Sequence, residues 1–497
     1  MNGVVMRDIE PSGLAAACRE LLAAGGRMQM AYAWFPGRRG EAEVRYLASA
    51  EPRRPFQMWR VQSGAPESIP SLATIAPLLE WHEREMMDLT GVRVIDHPQP
   101  YRLVLHEGVV LDTPPLDPQH HAQGMLAVEA EDLGIMPEVE GEHVQLLPFG
   151  PIRADVLESA QFLFQYVGEG ILHYHPRLFF KHRGMEKRFE GRSPELGVLL
   201  AERISGVDSA AHALAFSQAV EGAAGCEVPP RARWLRVIAA ELERIYNHLH
   251  YLGHLCHTTT LKVGEAQGKL LEERAKQTNA RVSGSRFLRN VIVPGGVRRD
   301  LALAGLLGAI DGLRREFREY VELLQRTDSH LDRLITTGPL DRALAFDLGA
   351  TGPIERASGL DRDLRRDHPY AAYDELPPAI AQHDAGDANA RMQVRIAELE
   401  ASFDVVLRAV TGCPAGALRT PLTPPAPGEG LGWAEGTRGT LFYAVHFDEA
   451  GRLARVKIES PSFSNWRVFP YTVHDSNMMD YAINEASFGL TIAGCDR

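Results

Sequence analysis

The sequence predicts an α+β protein: a small α/β module first, then a mainly α-helical bundle with peripheral β-hairpins. Three observations predict it. Before residue 110, strand-like and helix-like runs alternate. After residue 195, long stretches repeat apolar residues at steps of three and four, which gives a helix one buried stripe. Short alternating runs flank Gly-containing turns, as hairpins do.

In the first module, Leu14 to Ala24 reads as a short helix. Gln29 to Phe35 and Glu43 to Ala48 read as strands around a Pro-Gly-Arg-Arg turn. Ser71 to Leu89 reads as a helix, with Leu72, Ile75, Leu79 and Met86 near helical spacing. Leu111 to Gln123 holds three prolines and two adjacent histidines, poor material for regular structure. The expected division is a module over 1–118, a linker over 119–142 and a second domain over 143–497.

The second domain opens with a strand over Glu142 to Leu147 and a turn at Phe149-Gly-Pro. A hairpin follows, Gln161 to Gln165 with Ile171 to His175. The clearest helix runs from Arg231 to Cys256, where Leu235, Ile238, Leu242, Ile245, Leu249 and Leu252 make one stripe. Pro229 and Pro230 open it, where missing N–H groups cost little. Asp300 to Leu334 and Ala390 to Val410 read as two more helices, and such stripes imply a bundle. Thr440 to His446 and Leu453 to Ile458 read as a hairpin around Asp448-Glu-Ala-Gly.

Composition narrows the function classes. The 497 residues are 45% hydrophobic and 24% charged, so a good core is available without disulfides. A net charge of −12 argues against nucleic acid and anionic lipid as main partners, although it is compatible with a local basic patch. No run approaches the roughly 20 apolar residues of a membrane span. Met1 to Glu10 has no apolar core, so no signal peptide is expected. The expected location is cytoplasmic, peripheral on the inner face of the cell membrane through partner subunits. The five cysteines are scattered without a C-x-x-C, which excludes the usual zinc-ribbon and iron–sulfur spacings.

Five strings in order carry a resemblance. His182-Arg-Gly-Met-Glu-Lys187, the helix Arg231 to Leu252, Val293-Pro-Gly-Gly-Val-Arg-Arg-Asp300, the stretch Leu348 to Asp374 and Glu435-Gly-Thr-Arg-Gly439 with Ser460 to Asn465 resemble the large-subunit family. That family is shared by the complex I 49-kDa subunit and group 4 [NiFe] hydrogenases. Trp81-His-Glu-Arg-Glu-Met-Met-Asp-Leu-Thr-Gly91 is similar to the signature of the complex I 30-kDa subunit. The chain resembles a fusion of the two, as in formate-hydrogenlyase-type large subunits.

The resemblance implies a nickel–iron centre held by two C-x-x-C pairs, since soft thiolates hold both metals. Here the first pair falls on Ser205 and Asp208, in Arg203-Ile-Ser-Gly-Val-Asp-Ser-Ala-Ala-His212. The second is reduced to Cys495, in Ala493-Gly-Cys-Asp-Arg497, and the C-terminal extension of hydrogenase precursors does not follow. No metal is therefore expected in this chain, and no cofactor of its own. The His and Tyr that bind quinone in complex I fall on Arg153, Leu157 and Gly206, and an Asp after the core helix falls on Thr258. What the resemblance keeps is a framework. Arg183, with His182, stands beside the iron–sulfur cluster of a partner small subunit. Glu202, Arg203, Ser205, Asp208, His212 and Cys495 line the vacated cavity between the subunits.

Elsewhere, bland readings lead. His250, His254 and His257 share a helix face that suits zinc, but a polar face is favoured roughly four to one, since helical spacing specifies metal weakly. His173 and His175 share a strand face, with about one chance in ten for metal. His120 and His121 are read as solvated. Glu272-Glu273-Arg274 is read as helix-end charge, and Arg298-Arg299-Asp300 equally as that or as a contact between subunits. Ser205 and Asp208 divide evenly between drift and a polar relay or ligand site.

The expected function is a peripheral-arm subunit of a membrane-bound, ion-translocating oxidoreductase complex, related to NADH dehydrogenase or hydrogenase. Its expected partners are the small iron–sulfur subunit and membrane ion-translocating subunits. The rivals are reduction of a quinone or another small acceptor in the cavity, and a scaffold without a redox step.

Overall fold

A computed structural model describes residues 3–36, 42–62, 68–106, 108–118, 120, 126–127, 139–152, 158–423, 426–474 and 476–497. Most of the Pro-Gly-Arg-Arg turn, His121, Arg153 and Leu157 lie outside the described residues.

The N-terminal module is a four-stranded sheet under two helices. Strand β1 (Val4–Asp8) precedes helix α1 (Leu14–Ala23) and the strands β2 (Arg27–Trp34), β3 (Glu43–Ser49) and β4 (Phe56–Gln62). The order is β1-β4-β3-β2, with β1 parallel to β4 and the other pairs antiparallel. Strand alternation separates the faces. Val44, Tyr46, Ala48, Trp59 and Val61 pack with α1 and with α2 (Glu80–Thr90). Met30, Tyr32, Leu47, Phe56 and Met58 point the other way and join the core of the second domain. Both faces are therefore buried, and the module is continuous with the second domain.

The helix expected over 71–89 begins only at Glu80, after a 3₁₀ turn at Pro77–Leu79. The buried Glu83 carboxylate explains the delay. It accepts from the Ser71 hydroxyl at 2.6 Å and the Leu72 N–H at 2.8 Å, so the chain folds back on the helix instead of continuing it.

The second domain starts with the antiparallel strands β5 (Gln145–Phe149), β6 (Gln161–Val167) and β7 (Gly170–Arg177). Helices α3 (Pro194–Ala201), α4 (Ser209–Ala224), α5 (Pro230–Thr258), α6 (Lys262–Ser283), α7 (Leu306–Gln325) and α8 (Ala388–Gly412) follow. Strands β8 (Gly428–Glu435), β9 (Thr440–Phe447) and β10 (Leu453–Glu459) form a second antiparallel sheet. Helices α9 (Pro461–Val468), α10 (Tyr481–Phe488) and α11 (Ile492–Asp496) come last. The helix expected over 300–334 is shorter and interrupted. Gly305, at φ 78°, precedes α7, and a separate helix covers Asp328–Leu334. Its expected stripe, Leu306 through Leu324, is buried.

Two close approaches set the packing. A Cβ on Gly268 would meet the Gly253 Cα at 2.6 Å, so α5 and α6 touch backbone to backbone. A Cβ on Gly432 would meet the Ala215 carbonyl at 1.9 Å, so β8 lies directly on α4. The core also holds charge. Arg244, Arg356 and Arg365 sit buried among Glu241, Asp363, Glu398 and Glu435. Such a network costs desolvation and is offset only because each guanidinium is held in several directions.

Buried ion pairs join module to bundle. Arg27 reaches Glu355 at 2.7 Å. Glu85 pairs with Lys457 and, at 2.7 Å, with Arg497. The Arg497 guanidinium also stacks 4.3 Å from the Phe463 ring centre.

Candidate functional site

The site forms where three loops meet. Residues 182–184 lead into a short helix, Met185–Phe189, with Gly184 left-handed at φ 59°. His182 Nδ1 lies 2.6 Å from the Asp496 carbonyl, and the Arg183 N–H donates to the Arg497 carbonyl at 2.9 Å. The half-buried Arg183 guanidinium then donates to three carbonyls: Arg203 at 3.0 Å, Ile204 at 2.6 Å and Ala493 at 2.9 Å. Arg183 thus ties the 203–208 loop to the 493–497 segment. These are the two strings where the sequence places the altered cysteine positions.

Asp208 stands before the first turn of α4 and is buried. Its Oδ1 accepts from the Thr437 N–H at 3.1 Å and the Thr437 hydroxyl at 2.5 Å, and the Arg438 guanidinium lies 3.7 Å from Oδ2. One turn on, His212 Nδ1 is 2.7 Å from the Tyr443 hydroxyl. Burial pushes the His212 imidazole down to about 4, against the Asp208 charge that favours the cation, so it is neutral at pH 7. Glu202 accepts from the Asn290 N–H at 2.6 Å, and burial raises its carboxyl. Cys495 is buried, and burial with the Asp496 charge holds its thiol well above the usual range. Arg203 differs from the others, since its side chain is exposed.

Ser205 Oγ, His212 Nε2, Glu202 Oε2 and Arg183 Nε are buried here and make no hydrogen bond among the described residues, although the Arg203 guanidinium lies 3.8 Å from Glu202 Oε2. Buried polar groups are normally satisfied, so each marks a place where water or a ligand group would gain a bond.

The donor set does not fit a nickel–iron centre. Ser205 and Asp208 offer oxygen, and Asp208 is already committed to Thr437. Cys495 brings a single thiol whose pKa disfavours the thiolate. Among the described residues, no group of three or more His, Cys, Asp or Glu is arranged to hold a metal. His250, His254 and His257 stack with ring centres 6.2 Å apart, and His250 and His257 each reach a glutamate of α6 at 3.1 Å. Gly206, at the expected quinone tyrosine, is exposed, and the Thr258 hydroxyl donates to the Leu255 carbonyl. The Glu272-Glu273-Arg274 run lies inside α6, not at its end, and pairs with Lys276, Arg286 and Glu316.

Sequence reasoning missed Glu243, Thr437, Arg438 and Tyr443. Glu243 accepts from the Ala210 and Ala211 N–H groups at 2.8 and 2.9 Å, anchoring the start of α4. Desolvation, then the nearby Asp208 charge, pushes its carboxyl well up. Part of the signal was at hand, since Thr437 and Arg438 lie in the Glu435–Gly439 string and Glu243 in the Arg231–Leu252 string.

A family model described as respiratory-chain NADH dehydrogenase, 49 Kd subunit, matches residues 270–423 and 417–497. The 30 Kd subunit model of the same enzyme matches 8–124, and a nickel-dependent hydrogenase model matches 183–283. The chain is 31% identical over 454 residues to formate hydrogenlyase subunit 5 of Escherichia coli (strain K12), covering 89% of this chain and 79% of that protein. It is 28% identical over 485 residues to the C/D subunit of NADH-quinone oxidoreductase from Gluconacetobacter diazotrophicus, covering 86% and 79%. A chain of the membrane-bound sulfane sulfur reductase, an archaeal respiratory membrane complex, matches with a TM-score of 0.67 and 26% identity. That match covers 72% of this chain and 99% of the other.

Proposed function

The chain belongs to the family of the formate hydrogenlyase and complex I large subunits, fused to a 30-kDa-type module, and on that premise we propose that it serves in the peripheral arm of a membrane-bound oxidoreductase complex without a nickel–iron centre of its own. Its relatives are subunits of membrane-bound respiratory complexes, and no helix among the described residues is long and apolar enough to cross a membrane. Attachment then comes through membrane partner subunits, on the inner face of the cell membrane.

The observation that carries the proposal is Arg183. Its guanidinium is locked to three carbonyls from two loops, so its charge is held in place while remaining half exposed. A fixed cation at the meeting point of the loops suits a seat for the iron–sulfur cluster of a small partner subunit, tuning its potential. The test is co-expression with a small iron–sulfur subunit of the complex I or hydrogenase type from the same organism, followed by elemental analysis. We expect a stable heterodimer containing iron but no nickel. Stoichiometric nickel, or a chain that ignores the small subunit, would overturn the reading.

A second reading is favoured by the buried Ser205 Oγ and His212 Nε2, which make no hydrogen bond among the described residues. In it the altered pocket takes a small polar acceptor, a quinone carbonyl included, with His212 Nε2 as the hydrogen-bonding atom. His212→Phe would then raise KM for the acceptor while leaving the heterodimer intact. An unchanged KM would leave a scaffold role.

A further inference from the structure

A second cavity, of about 440 Å³, lies between the module and the first sheet of the second domain. Its walls come from α2 and the segment after it, from β7 and from the segment after α9. Arg84, Arg102, Arg177 and Arg467 line it together with four histidines, while Glu80 is the only carboxylate among the described lining residues. Trp81, Phe179 and Tyr471 give it an apolar side.

Arg467 is the informative residue. It is 6% exposed, yet among the described residues its guanidinium makes no ion pair, and neither Nε nor Nη1 has a hydrogen-bond partner. Arg244, Arg356 and Arg365 each contact two or more carboxylates, while Arg391 and Arg395, buried without an ion pair among the described residues, spend their N–H groups on carbonyls, Ser487 and Asn484. Glu459 lies beyond ion-pair range of Arg467 and already accepts from the Ser464 hydroxyl. The Arg467 guanidinium has the Phe463 ring 5.6 Å away but no counter-ion among the described residues. A buried cation without a counter-ion is costly, and a planar guanidinium matches the oxygens of phosphate bidentately.

Arg467 stands in the wall between two cavities. The other, of about 340 Å³, sets Glu51, Glu355, Asp361, Asp363 and Asp367 against Arg27, Arg342 and Arg362, so its charges are mixed rather than basic. On the basic side, His173 and His474 lie with ring centres 5.1 Å apart, and each has a buried Nε2 without a partner among the described residues.

We propose that this basic cavity binds a phosphate-class anion, with Arg467 as its buried anchor and His173 and His474 as further donors. The phosphate comes either free or on a phospholipid headgroup whose apolar part meets the aromatic side.

Calorimetric titration of the full chain with inorganic phosphate, against chloride at equal ionic strength, tests this. Flotation with phosphatidylglycerol or phosphatidylcholine vesicles separates the two sources. We expect saturable binding that chloride does not reproduce, weakened at least tenfold in Arg467→Met. His474→Phe keeps an aromatic ring, removes a donor and should weaken binding even if Arg467→Met fails to fold. Recruitment to phosphatidylglycerol alone, competed by phosphate, assigns the headgroup. Phosphate binding without recruitment assigns the free anion. The absence of both in the unaltered chain, or binding that neither variant weakens, would overturn the proposal.

Discussion

At the scale of single residues, the site turns on charges that have a partner and polar atoms that do not. Arg183 was legible from its His-Arg-Gly string, but not its anchoring, which comes from carbonyls 20 and 310 residues away. If it faces a partner's cluster, Arg183→Met should lower the midpoint potential by on the order of tens of millivolts, since a fixed positive charge favours the reduced cluster. Arg183→Lys should shift it less. Redox titration of the assembled complex checks this, and an unchanged potential would mean the guanidinium faces no cluster. Glu83 offers a test independent of any partner. Burial raises its carboxyl to about 7, despite bonds from Ser71 and Leu72 that favour the charged form. The folded state therefore holds a proton that the unfolded chain has lost above about pH 4.5, and stability falls as pH rises from there through 7. Glu83→Gln should flatten that fall and raise stability at pH 8 by about 1–3 kcal/mol, as read by chemical denaturation at pH 5 and pH 8. Glu83 falls on the expected apolar stripe, four residues after Leu79 and three before Met86, but its bonds to Ser71 and Leu72 need the fold-back that the sequence reading ran through as helix.

At the scale of elements, the long helices were legible because their stripes are long and regular. The buried residues of α5 include the six leucines and isoleucines expected of it. Strand β8 was not legible, for a physical reason. Gly430 and Gly432 stand along it where a strand normally shows apolar residues, because that face rests on the Ala219 and Ala215 carbonyls of α4. The alternation is present but written in absent side chains. Gly432→Ala cannot be absorbed by rotating a flexible neighbour, since the clash is with backbone. It should destabilise the chain by about 1–3 kcal/mol or more and loosen the Thr437–Asp208 contact at the strand's end. Gly268→Ala should cost a similar amount at the α5–α6 seam while leaving Asp208 in place. Thermal unfolding, with the histidine proton signals of His212 as a local probe, separates the two outcomes.

At the scale of the molecule, the expected boundary between a module and a bundle meets a structure in which one face of the first sheet belongs to the second core. Neither half can expose that face without losing burial of Met30, Tyr32, Leu47, Phe56 and Met58. We therefore expect one cooperative unfolding transition for the whole chain by calorimetry, and a fragment over 1–118 that does not fold alone. Two separate transitions would contradict the shared core. The bond between Glu85 and Arg497 has a consequence in time. Its partners lie 412 residues apart. At ribosomal speeds of about 5–20 residues per second, the glutamate is made on the order of 20–80 seconds before its arginine. For most of that interval, until Lys457 and then Arg497 are made, the nascent module must keep a carboxylate unmatched and much of an apolar sheet face uncovered, in a crowded cytosol. An arginine translated so much later completes the contacts of a helix made among the first hundred residues, so production of this protein should depend on holding chaperones far more than its final stability suggests.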